Sequence, residues 1–140
     1  MFDLLKYRDN TAVITDLGES LTYLELSEEV EKFVSVLTQK VLVFTLCENL
    51  LGAFVGYVAC MNNNIPQVLL DGSKDLELVQ RLIAIYQPEY IWMPTARVNE
   101  IGGKTIYQYQ KYSLQTMTYI EPLVNKVINS ELQLCLTTSG

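Results

Sequence analysis

The chain has 140 residues, 49% of them hydrophobic and 19% charged, with ten basic residues against sixteen acids and a net charge of −6. That composition excludes a disordered tail and fits one domain, or a piece of one. The basic residues are scattered, so no stripe exists to neutralise nucleic-acid phosphates, and the lack of histidine removes histidine-based metal sites and triads from this sequence.

The start, Met1-Phe2-Asp3-Leu4-Leu5-Lys6, lacks the basic opening and long apolar core of a signal peptide. The longest apolar run, residues 50–61, is too short to span a bilayer and suits a buried helix. Cys47, Cys60 and Cys135 lie far apart in apolar surroundings. They read as core thiols in a reducing compartment, which points to a cytoplasmic protein.

Residues 12–15 and 20–22 flank a turn over Asp16-Leu17-Gly18-Glu19 and predict a small hairpin at the domain edge. Thr22 and Glu25 have the spacing of a capping box, in which each side chain satisfies the other's free backbone N–H. Leu26, Val30, Phe33, Val34 and Leu37 then recur at helical spacing. Glu28 and Lys32 stand four apart on the wet face and are expected to pair.

Residues 41–46 form a near-continuous apolar run, as expected of a strand covered on both faces. A helix over residues 49–61 is apolar almost all round, and its Gly52 and Gly56 permit close packing. Residues 65–70 predict the next strand. Ser73 or Asp75 would cap a helix carrying Leu76, Val79, Leu82, Ile83 and Tyr86 on one face, which Pro88 ends. Residues 90–93 make a third short strand. The unit is α/β: a mostly parallel β-α-β-α-β sheet with flanking helices and an edge hairpin.

Past Pro94 the pattern changes. Gly102-Gly103 marks a turn, and residues 105–109 and 115–120 read as two strands joined across 110–114. Tyr107, Tyr109, Tyr112 and Tyr119 could pack as a cross-strand aromatic ladder. Residues 122–130 connect to a last strand over 132–137. No Gly-x-Gly-x-x-Gly follows a strand and no Gly-Lys-Ser/Thr loop occurs.

The chain closes on Leu134-Cys135-Leu136-Thr137-Thr138-Ser139-Gly140. An apolar strand thus runs into hydroxyls, backbone N–H groups and a glycine, which are the parts of an anion cradle. This segment resembles the opening of the phosphate-binding loop of adenylate-forming enzymes, the AMP-dependent synthetase/ligase superfamily that includes acyl-CoA synthetases and AMP-acid ligases. Four further stretches resemble that family in the same order. They are Leu21-Thr22-Tyr23-Leu24-Glu25-Leu26, Asn49 after a strand, Asn64-Ile65-Pro66-Gln67-Val68-Leu69-Leu70-Asp71, and Asn129-Ser130-Glu131-Leu132. Two stretches depart from it: the short link Thr38-Gln39-Lys40, and Asn62-Asn63-Asn64 in place of Lys-Ala-Gly.

The resemblance implies that residues 1–140 are the N-terminal part of an AMP-binding domain, a partial subdomain of the acyl-CoA synthetase-like fold, ending inside the phosphate loop. It implies ATP and Mg2+, a small carboxylic acid as substrate, and a CoA or carrier-protein thiol as acceptor. Thr137, Thr138, Ser139 and Gly140 would bind phosphate, and no catalytic residue falls within these 140. The chain alone is expected to be inactive, and to self-associate through apolar surface on residues 49–61 and the last strand. The alternative reading is a non-catalytic, doubly wound α/β interaction module.

Overall fold

The computed structural model describes residues 9–14, 20–37, 41–48, 50–119 and 134–136. Strands β1 (Thr11–Ile14) and β2 (Ser20–Thr22) pair antiparallel as the expected hairpin, a two-stranded sheet of their own. Helix α1 (Tyr23–Ser35) starts on Thr22, whose hydroxyl accepts from Glu25 N at 3.1 Å while Thr22 N donates to Glu25 at 2.9 Å. The capping box is therefore closed in both directions. Lys32 pairs with Glu29 at 3.1 Å, one position away from the expected Glu28, because residues three apart are also neighbours on a helix.

The main sheet has six strands in the order β6-β7-β5-β3-β4-β8. Its centre is β3 (Val43–Cys47), with β4 (Gln67–Asp71) on one side and β5 (Tyr90–Pro94) on the other, both parallel to it. Helix α2 (Leu51–Asn62) links β3 to β4, and α3 (Leu76–Tyr86) links β4 to β5. After β5 come a 3-10 turn (Thr95–Arg97) and the short α4 (Val98–Ile101). Then β6 (Lys104–Tyr109) and β7 (Tyr112–Thr116) fold back antiparallel, with β7 against β5. Strand β8 (Leu134–Leu136) runs parallel to β4 at the opposite edge.

The parallel β-α-β-α-β unit thus forms, carrying an antiparallel extension. The turn between β6 and β7 is tighter than the sequence suggests. It turns on Gln110, which takes a left-handed φ of 54°, so β7 begins at Tyr112 and not at residue 115.

Strand alternation splits the core into two layers. Val43, Tyr90, Trp92 and Leu114 face α1 and α2, while Phe44, Leu46, Ile91 and Met93 face α3. Both faces of the sheet are covered, so the strands read as unbroken apolar runs.

Helix α2 departs from expectation in its surroundings. Eight of its twelve residues are buried, packed between α1 and the sheet, and Phe54, Tyr57 and Met61 are partly exposed. Its glycines allow this packing. A Cβ on Gly52 would meet Tyr112 at 2.8 Å, and one on Gly56 would run into the Trp92 indole. The aromatic residues gather on Trp92 and do not form a four-tyrosine ladder. Tyr107 stacks on Trp92, Tyr112 tilts against it, and Phe33 meets it edge-on at 5.1 Å. Tyr119 instead donates its hydroxyl to the Pro88 carbonyl at 2.6 Å.

Candidate functional site

In the sheet order, the connections out of β3 and back to β5 run to opposite sides of β3. Such a switch point opens a crevice beyond the C-terminal ends of the strands. Here it lies between the ends of β3 and β5 and holds a pocket of about 470 Å3.

The loop leaving β3 is held in place by Tyr112. Its hydroxyl donates to the Leu46 carbonyl at 2.5 Å and accepts from Glu48 N at 2.9 Å. Burial pushes the Tyr112 phenol well above its ordinary pKa, so it stays protonated and able to donate. Next to it, Trp92 Nε1 donates to the Gly52 carbonyl at 2.7 Å, tying the first turn of α2 to β5.

The opposite wall is the β6–β7 hairpin tip. Thr95 N donates to the Lys111 carbonyl at 2.8 Å, and the Thr95 and Ser113 hydroxyls bond at 2.8 Å. Gln108 Nε2 also donates to Ser113 Oγ at 3.1 Å. The tip is thereby clipped to the end of β5.

The end of β4 closes the rim. Gly72 N donates to the Cys47 carbonyl at 2.6 Å, and a Cβ at Gly72 would meet the Glu48 side chain at 2.5 Å. Arg97 donates to the Gly72 carbonyl at 3.2 Å and pairs with Glu100 at 2.5 Å. Asp71 accepts from the Ser73 N–H at 2.9 Å and from the Ser73 hydroxyl at 2.7 Å. Those bonds, the backbone one first, hold its carboxyl below the usual carboxylate range. They make Asp71 a turn residue.

Below the rim, polar groups inside the core are internally satisfied. Thr45 donates to Gln67, which donates on to the Tyr57 carbonyl of α2. Burial also pushes the Cys60 thiol strongly up, which leaves it unreactive, and Cys60 and Cys47 are free thiols.

The expected phosphate ligands Thr137, Thr138, Ser139 and Gly140 lie outside the described residues, as does Asn49. What the described part gives is the strand before them. Because β8 is parallel to β4, with Leu136 opposite Leu69, it ends at the same sheet edge as β3, β4 and β5. Among the described residues no group of three or more metal-ligating side chains occurs, and no helix is long and apolar enough to cross a membrane. Gln108, Lys111 and Arg97 belong to the rim but carry no motif: the hairpin brings Gln108 and Lys111 there, and the 3-10 turn after β5 brings Arg97.

The fold is similar to that of apo MatB from Rhodopseudomonas palustris, with a TM-score of 0.56 at 19% identity. The match covers 72% of this chain and 21% of MatB, so the chain spans a small part of that protein's length. No protein-family model and no curated protein matches the sequence. At this identity the likeness is one of fold.

Proposed function

We propose that this chain is the N-terminal part of an ATP-dependent acid ligase that activates a carboxylate as an acyl-adenylate and passes it to a thiol. One observation carries the reading. An apolar strand that leads into Thr137-Thr138-Ser139-Gly140 lies parallel in an α/β sheet, in a fold similar to that of apo MatB. The ordered sequence resemblances point to the same family.

In this reading a carboxylate attacks the α-phosphate of ATP, with pyrophosphate as the leaving group. Negative charge on the phosphate oxygens needs oriented donors placed beforehand. The hydroxyls of Thr137, Thr138 and Ser139, with the backbone N–H groups around Gly140, would supply the first of them. Glycine admits the close approach of main chain to phosphate. Mg2+ would be held by the phosphates and by residues beyond these 140, as would the acid and the acceptor thiol.

The test is acid-dependent ATP–pyrophosphate exchange by the natural gene product that carries this segment. Exchange is expected, and Ser139→Ala should lower it by about tenfold or more, the scale of losing one charge-stabilising donor. Residues 1–140 alone should give none. Exchange by the 140-residue chain, or a gene product whose exchange is indifferent to Thr138 and Ser139 substitutions, would remove the assignment of this loop.

A further inference from the structure

We propose that Tyr107 is a one-electron oxidation site, where a hole formed on the buried Trp92 comes to rest as a phenoxyl radical. The co-reactant is a one-electron acceptor. The site uses no nucleotide, acid or thiol, so it stands whether or not the chain belongs to a ligase.

Two phenols touch the indole of Trp92, the single tryptophan of the sequence. Tyr107 stacks on it with ring centroids 5.8 Å apart, and Tyr112 tilts against it at 5.2 Å. Phe33 closes the cluster, edge-on to both Trp92 and Tyr107. These are the separations of aromatic rings in direct contact, so an electron crosses from ring to ring with no gap to bridge. On distance alone, Tyr112 would be the donor.

The proton acceptors reverse that order. A phenol or indole becomes strongly acidic once an electron has left it, so a hole is trapped where a base stands within hydrogen-bond reach. Trp92 Nε1 donates to the Gly52 carbonyl, and the Tyr112 hydroxyl donates to the Leu46 carbonyl. A peptide carbonyl accepts a hydrogen bond but is too weak a base to keep the proton. Tyr107 instead donates to Glu29 Oε2 at 2.8 Å, and a carboxylate can keep it. The other Glu29 oxygen pairs with Lys32 at 3.1 Å, one turn along α1. Burial first, and the Glu29 bond second, push the Tyr107 phenol above its ordinary pKa, so it holds its proton until the electron goes.

The step balances within the cluster. One electron moves from Tyr107 to the Trp92 radical cation and restores the indole. The Tyr107 O–H bond breaks, its proton forms an O–H bond on Glu29, and a neutral phenoxyl radical remains. The electron that Trp92 lost is on the acceptor. Tyr107 is partly exposed on β6, the edge strand of the sheet, where a reductant in solution can reach it. The hole thereby leaves the core.

The experiment is laser photoionisation of the 140-residue chain at the red edge of the tryptophan band, where tyrosine does not absorb. Chloropentaamminecobalt(III) takes up the ejected electron irreversibly, and transient absorption and EPR follow the radicals. The tryptophan radical should decay into a tyrosyl radical, whose EPR signal narrows when the tyrosines are ring-deuterated. Tyr107→Phe should remove that signal and prolong the tryptophan radical, while Tyr112→Phe should keep it. Glu29→Gln leaves a hydrogen-bond partner that is not a base, and should slow the transfer by about tenfold or more. Near-ultraviolet circular dichroism checks that each variant is folded. A tryptophan radical that decays without a tyrosyl radical, a tyrosyl signal that survives Tyr107→Phe or is lost in folded Tyr112→Phe, or a rate indifferent to Glu29→Gln would each overturn the assignment.

Discussion

Two residues in the core carry more of the structure than their types suggest. Gly56 sits inside a helix, where alanine is ordinarily favoured by up to about 1 kcal/mol. Here a methyl would collide with the buried Trp92 indole. Gly56→Ala is therefore expected to destabilise the chain by roughly 1–3 kcal/mol, the scale of overpacking a filled core. Urea unfolding checks the sign, which helix propensity alone gets wrong. Tyr112 is the second case. Its hydroxyl satisfies both the Leu46 carbonyl and the Glu48 N–H at a buried strand end. Tyr112→Phe keeps the ring but leaves both groups unpaired, and should cost about 1–3 kcal/mol. The Glu48 amide should also exchange its hydrogen faster in that variant.

At the scale of elements, α1 depends on its first turn. Thr22→Ala breaks the capping box and should lower stability by about 0.5–2 kcal/mol, as read from the urea midpoint. This helix was the most legible part of the sequence, because cap, apolar spacing and wet face all agree there. The three central strands were legible for a related reason: strands buried on both faces cannot hide their apolar runs. The second strand of the β6–β7 hairpin was misplaced because Tyr112, Ser113 and Gln115 face the interior while carrying polar atoms. Their partners in Leu46, Thr95, Thr105 and Gly102 come from other elements or from across the ladder, which no local pattern reveals. Helix α2 was recognised as buried by its all-round apolarity, yet was also expected to offer open surface. The packing of α1 over it covers most of that surface and leaves Phe54, Tyr57 and Met61 partly exposed. The large exposed apolar side chains among the described residues are Ile85 and Tyr86, on α3.

For the whole molecule, stability has a clear pH signature. Burial raises the phenols of Tyr107, Tyr112 and Tyr119, which tie α1 to β6, β7 to β3, and the segment after β7 to Pro88. Above about pH 10 the unfolded chain releases these protons while the folded chain keeps them. The folded state then binds more protons, so stability must fall as pH rises. Below that range the contribution is fully present. Urea midpoints measured from pH 8 to 11 should decline above about 10, less steeply in Tyr112→Phe. The strand order was the feature least accessible from sequence. Placing β5 next to β3 and β8 next to β4 depends on long-range pairing, and it is this order that creates the crevice. The functional reading depends on order too, since it requires β8 to end on the edge where the other parallel strands end.

The most direct test of that reading is to sequence the transcript that encodes this chain beyond the codon for Gly140. The ligase account predicts an open frame continuing as Ser/Thr-Thr-Gly-x-Pro-Lys, which would complete a loop around the triphosphate. A stop codon at that point, or a continuation without the glycine and lysine, would contradict it.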